Sequence, residues 1–166
     1  MRRQQHQRRN WSQITLWVLL ALILVLGSTF IVFHEALRPG KTAASQTIQI
    51  AQKAGVTGGT DFLTYNRQQT YYSVSGKNRK QQAVYAIVAK KSGHVTTVKQ
   101  SQGKTKTAIL RQVWQKVKPQ KVLNIGLGLK ANQPVWEVTY LNAKGDLCYN
   151  LYDYHNGNTV QSIQNL

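Results

Sequence analysis

Residues Ile14 to Phe33, ITLWVLLALILVLGSTFIVF, form a 20-residue stretch without a charge, and charge-free sequence runs from Asn10 to Phe33. At about 1.5 Å per residue, a helix of that length covers the roughly 30 Å hydrocarbon core of a bilayer. A backbone in lipid must satisfy its own hydrogen bonds, and a helix does so. Gly27, Ser28 and Thr29 interrupt the apolar run, but small residues are tolerated in membrane helices. The alternative is a buried core helix, which is rarely this long or apolar on every side. Arg2, Arg3, Arg8 and Arg9 precede the stretch without an acid, whereas His34, Glu35, Arg38 and Lys41 follow it. That asymmetry predicts a cytoplasmic amino terminus and an extracellular carboxy-terminal region, in a single-pass protein of the cell membrane. The apolar core exceeds the 7–15 residues of a cleaved signal, and GSTFIVFHEAL offers no small-x-small cleavage site. The stretch is expected to be an uncleaved signal anchor.

Charge bounds the partners. The chain carries 22 Lys and Arg against 5 Asp and Glu. From His34 onward, 18 basic residues face 5 acidic ones. Such a charge favours polyanions: nucleic acid, anionic lipid headgroups or wall polymers. Outside a membrane nucleic acid drops out. The single cysteine, Cys148, forms no intramolecular disulfide and sits in the alternating run LCYNLY, which predicts a buried, inert thiol.

The organisation predicted along the chain is a basic cytoplasmic tail (1–13), too polar to fold alone, the anchor (14–33) and a stalk (34–41) in which Pro39-Gly40 ends any helix. Two weak repeats follow, 42–101 and 102–166. An offset of 64 aligns Tyr85 with Tyr149, Gly93 with Gly157, Tyr72 with Trp136 and Val74 with Val138. An offset of 66 sets Ala43, Ala44, Thr47, Ile48 and Ala51 against Ile109, Leu110, Val113, Trp114 and Val117, each set one helix face. The change of offset implies a two-residue length difference in the loop or first strand. Each half reads as a helix followed by four antiparallel strands. The first helix covers 42–54, ended by Gly55, with strands at 61–66, 70–76, 82–90 and 94–100. The second covers 105–117, ended by Pro119, with strands at 121–130, 134–141, 146–154 and 158–164. Gly76-Lys77-Asn78, Lys91-Ser92-Gly93, Ala143-Lys144-Gly145 and Asn156-Gly157 mark turns. Three apolar rows are expected to bury against the amphipathic helix: Leu123, Ile125, Leu127 and Leu129; Trp136, Val138 and Tyr140; and Leu147, Tyr149 and Leu151. Tyr152 and Tyr154, opposite Tyr149, are then the candidate exposed aromatics, or pack where the two halves meet.

Catalytic patterns are thin. Glu137 and Asp153 are the one carboxylate pair that adjacent strands bring near each other, and Asp146 and Asp153 lie beside turn glycines, where acids commonly cap. No motif supplies a nucleophile for His94 or His155, Ser101-Gln-Gly-Lys104 lacks the context of a serine acyl-transfer site, and no His, Cys, Asp or Glu cluster has metal-ligand spacing. The reading is a protein that is not an enzyme and takes no cofactor. Lys104, Arg111 and Lys118 recur every seven residues, with Lys116 and Lys121 nearby. This basic stripe is a candidate surface for a partner or polyanion, or else a solvated face.

The anchor, the helix TAASQTIQIAQKAG, the stretch YYSVSGKNRKQQAVYAIVAKKSG and the downstream VWEVTYLNAKGDLCYNLYDYHNGNTVQSI together resemble the TseB-type (YpmB-type) cell wall elongation regulators. The resemblance implies an α+β fold of two tandem cystatin-like (PepSY-like) repeats, each a helix packed on an antiparallel sheet. It also implies association with a class B penicillin-binding protein during sidewall synthesis, and it brings no catalytic residues. A peptidoglycan or polyanion binding module and a PepSY-like protease inhibitor or chaperone are the alternatives.

Overall fold

The computed structural model describes the backbone of residues 5–164 and the side chains of residues 13–29 and 42–164. Helix α1 (Gln5–Lys53) takes in the described part of the tail and the apolar stretch and continues through Pro39-Gly40. The break predicted there is corrected: proline removes one amide donor, but its fixed φ near −65° is itself helical. The tail helix is likewise an extension of a formed helix, which avoids the cost of nucleation. From Ile14 to Leu26 the large apolar side chains are 50–68% exposed. Among the described residues no helix is long and apolar enough to cross a membrane; residues 30–33 of the predicted span lie outside the described side chains.

The chain divides into a unit ending at Thr42 and a unit from Ala43 onward. In the second unit Gly55 follows the end of α1, and its φ of +86° lets the Val56 amide bond back to the Ala51 carbonyl at 2.9 Å. Strands β1 (Thr57–Asn66), β2 (Thr70–Lys77), β3 (Ala83–Ala89) and β4 (Val95–Lys99) form one antiparallel sheet in that order. After a 3₁₀ turn (Gln100–Gln102) comes helix α2 (Lys106–Lys116). Strands β5 (Lys121–Lys130), β6 (Gln133–Leu141), β7 (Leu147–Asp153) and β8 (Thr159–Ile163) form the second sheet. β1 starts four residues before its predicted start, because bulges at Thr57/Thr60 and Thr60/Leu63 carry it through the glycines.

Alternation assigns the faces. The helix-facing side of the first sheet carries Val74, Val84 and Ala86, which form a small core with Ala51 and Val56. Its other side carries Tyr85 and Ile87, which share the large core of the second half with Ile109, Val113, Trp136 and Tyr154. Five consecutive residues of β3, Val84 to Val88, are buried because both faces of the sheet are covered. In the second sheet Tyr152 pairs with Trp136 and Cys148 with Tyr140, so the even-numbered residues of β7 share the face of the Trp136 row. The row Leu147, Tyr149 and Leu151 lies on the face opposite the one predicted, with Leu151 buried there and Leu147 and Tyr149 half-buried. Cys148 is a free, buried thiol.

The halves match, though with different offsets from those predicted. Val56 N bonds Ala51 O and Lys118 N bonds Val113 O, which equates the helix ends at an offset of 62. Leu63 opposite Ser73 matches Gly126 opposite Glu137, an offset of 63. Strands β2 and β3 match β6 and β7 at 64, and β4 matches β8 at 65 up to the bulge at Leu151/Tyr152. The drift runs opposite to that expected and is absorbed in the helix–strand connection and the first hairpin.

The edge of β5 meets the first sheet. Ser73 Oγ donates to the Leu127 carbonyl at 2.7 Å and Asn124 Nδ2 to the Thr64 carbonyl at 3.1 Å. This covers an edge strand that otherwise offers unpaired backbone groups. Arg67, in the β1–β2 turn, pairs through Nε with buried Glu137 of β6, and its guanidinium lies 4.1 Å from the centre of the Tyr149 ring. Burial pushes the Glu137 carboxyl above its ordinary pKa, and the bond and charge of Arg67 oppose that rise.

Candidate interaction surface

Thr105 caps α2, its Oγ1 accepting from Ala108 N at 3.2 Å. Just before it, the Lys104 carbonyl accepts from Trp136 Nε1 at 2.9 Å, and the Lys104 amide donates to the Tyr154 carbonyl at 2.7 Å. Ile109 and Val113 then bury one face of α2. Trp114 stays 48% exposed and Leu123 46%. Leu123 is exposed because a bulge between Val122 and Asn124 breaks the alternation of β5. Trp114, Leu110, Val122 and Leu123 line a shallow groove of about 350 Å³, with Phe62 of β1 on its far wall. An exposed tryptophan beside an apolar strip is the composition of a protein interface.

The basic residues read from the sequence are not on the lining of this groove. Lys104, Arg111, Lys116, Lys118 and Lys121 are all exposed. Only Arg111 and Lys116 belong to α2; Lys104 precedes its cap, and Lys118 follows it in the left-handed region at φ +51°. The seven-residue recurrence is therefore a basic surface, not a stripe along one helix. Lys106, absent from the sequence-based candidates, lines the groove and bonds Asp61 at 3.0 Å. Both partners are partly exposed, so the pair contributes little to stability.

The candidate exposed aromatics are corrected. Tyr152 and Tyr154 are 2% and 0% exposed. Tyr154 stacks on Trp136 and meets the edge of Tyr85 of the first half, and its hydroxyl donates to the Lys99 carbonyl at 2.9 Å. The alternative reading, a contact between halves, describes it. Burial, and then Tyr85, push its hydroxyl above the usual phenol range. The carboxylate pair also separates: Glu137 faces Arg67, whereas Asp153 Oδ1 accepts from the amides of His155 and Asn156. Arg2, Arg3, Arg8 and Arg9, the topology determinants, lie outside the described side chains. Sequence reasoning missed Arg67, whose partner lies 70 residues away, and missed the exposure of Trp114, which shares the apolar helix pattern.

Residues 46–89, from the last turns of α1 through β3, match the family model described as the cell wall elongation regulator TseB-like domain. Among solved structures the YpmB protein from Bacillus subtilis is similar in fold, with a TM-score of 0.60 at 21% identity over 75% of this chain and 97% of that chain. No curated protein matches the chain. The family model matches part of the first half of the folded region, and the solved structure shares the fold.

Proposed function

We propose that this protein is a non-enzymatic, membrane-anchored regulator of cell wall elongation whose folded region lies outside the membrane and binds a class B penicillin-binding protein. The observation that carries the reading is the TseB-like match over 46–89. The anchor rests on the apolar stretch, whose described side chains are exposed all round the helix from Ile14 to Leu26; a helix apolar on every side belongs in a core or a bilayer. The amino terminus is cytoplasmic because its four arginines stay on that side. The groove of Trp114 and Leu123 receives the partner, and the exposed basic residues of the same half steer its approach. In-cell crosslinking followed by pull-down of the full chain tests this. A penicillin-binding protein is recovered, retained in high salt, and lost on Trp114→Ala with Leu123→Ser. Recovery unaffected by that double change contradicts the groove.

The exposed cations Lys104, Arg111, Lys116, Lys118 and Lys121 favour a second reading, a module that binds anionic wall polymer or lipid headgroups. That attraction is screened, so high salt and charge reversal at these positions abolish it. Recovery of wall polymer alone, released by salt, establishes this reading in place of the first.

A further inference from the structure

The far end of β5 borders a second feature, which shares no residue with the groove. A cavity of about 660 Å³ opens between the β1–β2 turn of the first half and the β5–β6 turn of the second. Its volume falls in the range of small-molecule sites. Tyr65, Tyr71, Leu129, Leu151 and Ile163 supply apolar surface, and Gln68, Gln69, Lys130, Asn132 and Gln161 supply polar walls. Among the described residues that line it none is acidic.

The hydrogen bonds make these walls rich in donors. Lys130 Nζ donates to Gln161 Oε1, and an ammonium only donates, so the Gln161 amide must present its oxygen to Lys130 and its NH₂ elsewhere. The Tyr71 hydroxyl donates to Gln69 Oε1 at 2.7 Å, and in that arrangement the Gln69 NH₂ is turned away from Tyr71. Arg67 also lines the cavity, and its Nη2 is buried with no hydrogen-bond partner among the described residues. Two side-chain amides and an ammonium therefore gather beside an apolar floor with no carboxylate on the lining, while the charge of the Arg67 guanidinium is already paired with Glu137. Such a site suits an acceptor-rich anion attached to an apolar body.

We infer that this cavity binds a carboxylate borne on a short apolar chain, the free carboxy terminus of a short peptide, with Lys130, Gln161 and Gln69 holding the carboxylate. The inference is independent of the proposed partner, since it is read from a small-molecule titration and the groove is read from protein capture.

The test uses the full-length ¹⁵N-labelled protein in nonionic detergent micelles, titrated with acetyl-dialanine, its carboxy-terminal amide and acetate. The acid is expected to shift the side-chain amide signals of Gln69 and Gln161 saturably, with a dissociation constant of about 1 mM or tighter. The amide and acetate bind about tenfold more weakly or not at all, one lacking the charge and the other the apolar body. Lys130→Met and, separately, Gln161→Leu each weaken the acid about tenfold, while the backbone amide spectrum away from the cavity confirms the fold. Equal affinity for acid and amide, equal affinity for acid and acetate, indifference to both substitutions, or no saturation by about 50 mM overturns the assignment.

Discussion

The two halves share a fold and differ at matched registers, and the difference joins them. Opposite Ser73 and Tyr71 the first half places Leu63 and Tyr65; opposite Glu137 and Val135 the second places Gly126 and Gly128. A Cβ at Gly126 would collide with the Thr64 carbonyl, and one at Gly128 with the Tyr65 ring. One half is bulky where the other is bare, and the bulk of the first seats on the bare strand of the second. The buried polar residues at the matched position act in the same sense. Ser73 bonds a carbonyl of the second half, and Glu137 takes Arg67 from the first. A repeated unit with identical halves has no such seat. The asymmetry also divides the work: both faces of the first sheet are covered, whereas Trp114, Leu123 and most of the basic surface belong to the second half.

Breaking the seat has the largest expected effect. Gly126→Ala should cost about 3 kcal/mol, because the obstructing atoms are backbone and cannot swing away. Gly128→Ala should cost somewhat less, and combining it with Tyr65→Leu should recover about 1 kcal/mol of the summed loss, since the clash is with that ring. Urea unfolding followed through the buried Trp136 measures both.

The ionic link comes next. Arg67→Leu leaves Glu137 buried without its cation and should cost about 3 kcal/mol at neutral pH. Burial raises the Glu137 pKa, so the native state holds that proton more tightly than the unfolded chain. The corresponding stability is complete below the ordinary carboxylate range and is lost as pH rises through the elevated native value. Removing Arg67 takes away the opposing influence and raises that value further. The penalty of Arg67→Leu should therefore shrink as pH falls from 7 toward 5, which paired urea midpoints at the two pH values check.

Two neighbours on α2 separate structure from surface. Val113→Ala removes a fully buried side chain and should cost about 2 kcal/mol. Trp114→Ala, one residue on, should change stability by no more than about 0.5 kcal/mol. A gain in stability is expected at the hairpin turns. The β5–β6 turn holds Ala131 and Asn132 at φ +47° and +63°, and left-handed backbone is unfavourable for alanine. Ala131→Gly should raise stability by about 0.5–1 kcal/mol, read as a shift in thermal midpoint.

Much of this architecture was legible in the sequence. Turn glycines and period-two alternation place eight strands, most within a residue or so of the observed ends, and the 64-residue offset holds through the two middle strands of each half. Face assignment failed where both faces of a strand are buried. Leu151 packs on one side of β7 and Tyr152 on the other, so apolar parity carries no sign. Leu123 belongs by alternation to the row of Ile125 and Leu127, and a bulge turns it outward. The basic surface was visible as charge, whereas the exposed tryptophan beside it was hidden in a helix face that reads as uniformly apolar. Arg67 gave no local signal, because its role exists only once β1 has crossed to β6.

The most direct test of the account is photocrosslinking in living cells from an unnatural residue at position 114, compared with position 160 on β8, where Val160 is similarly exposed. The account predicts an adduct with a penicillin-binding protein from position 114 that persists in high salt, and none from position 160. Equal adducts from both positions, or capture of no wall-synthesis protein from position 114, would contradict it.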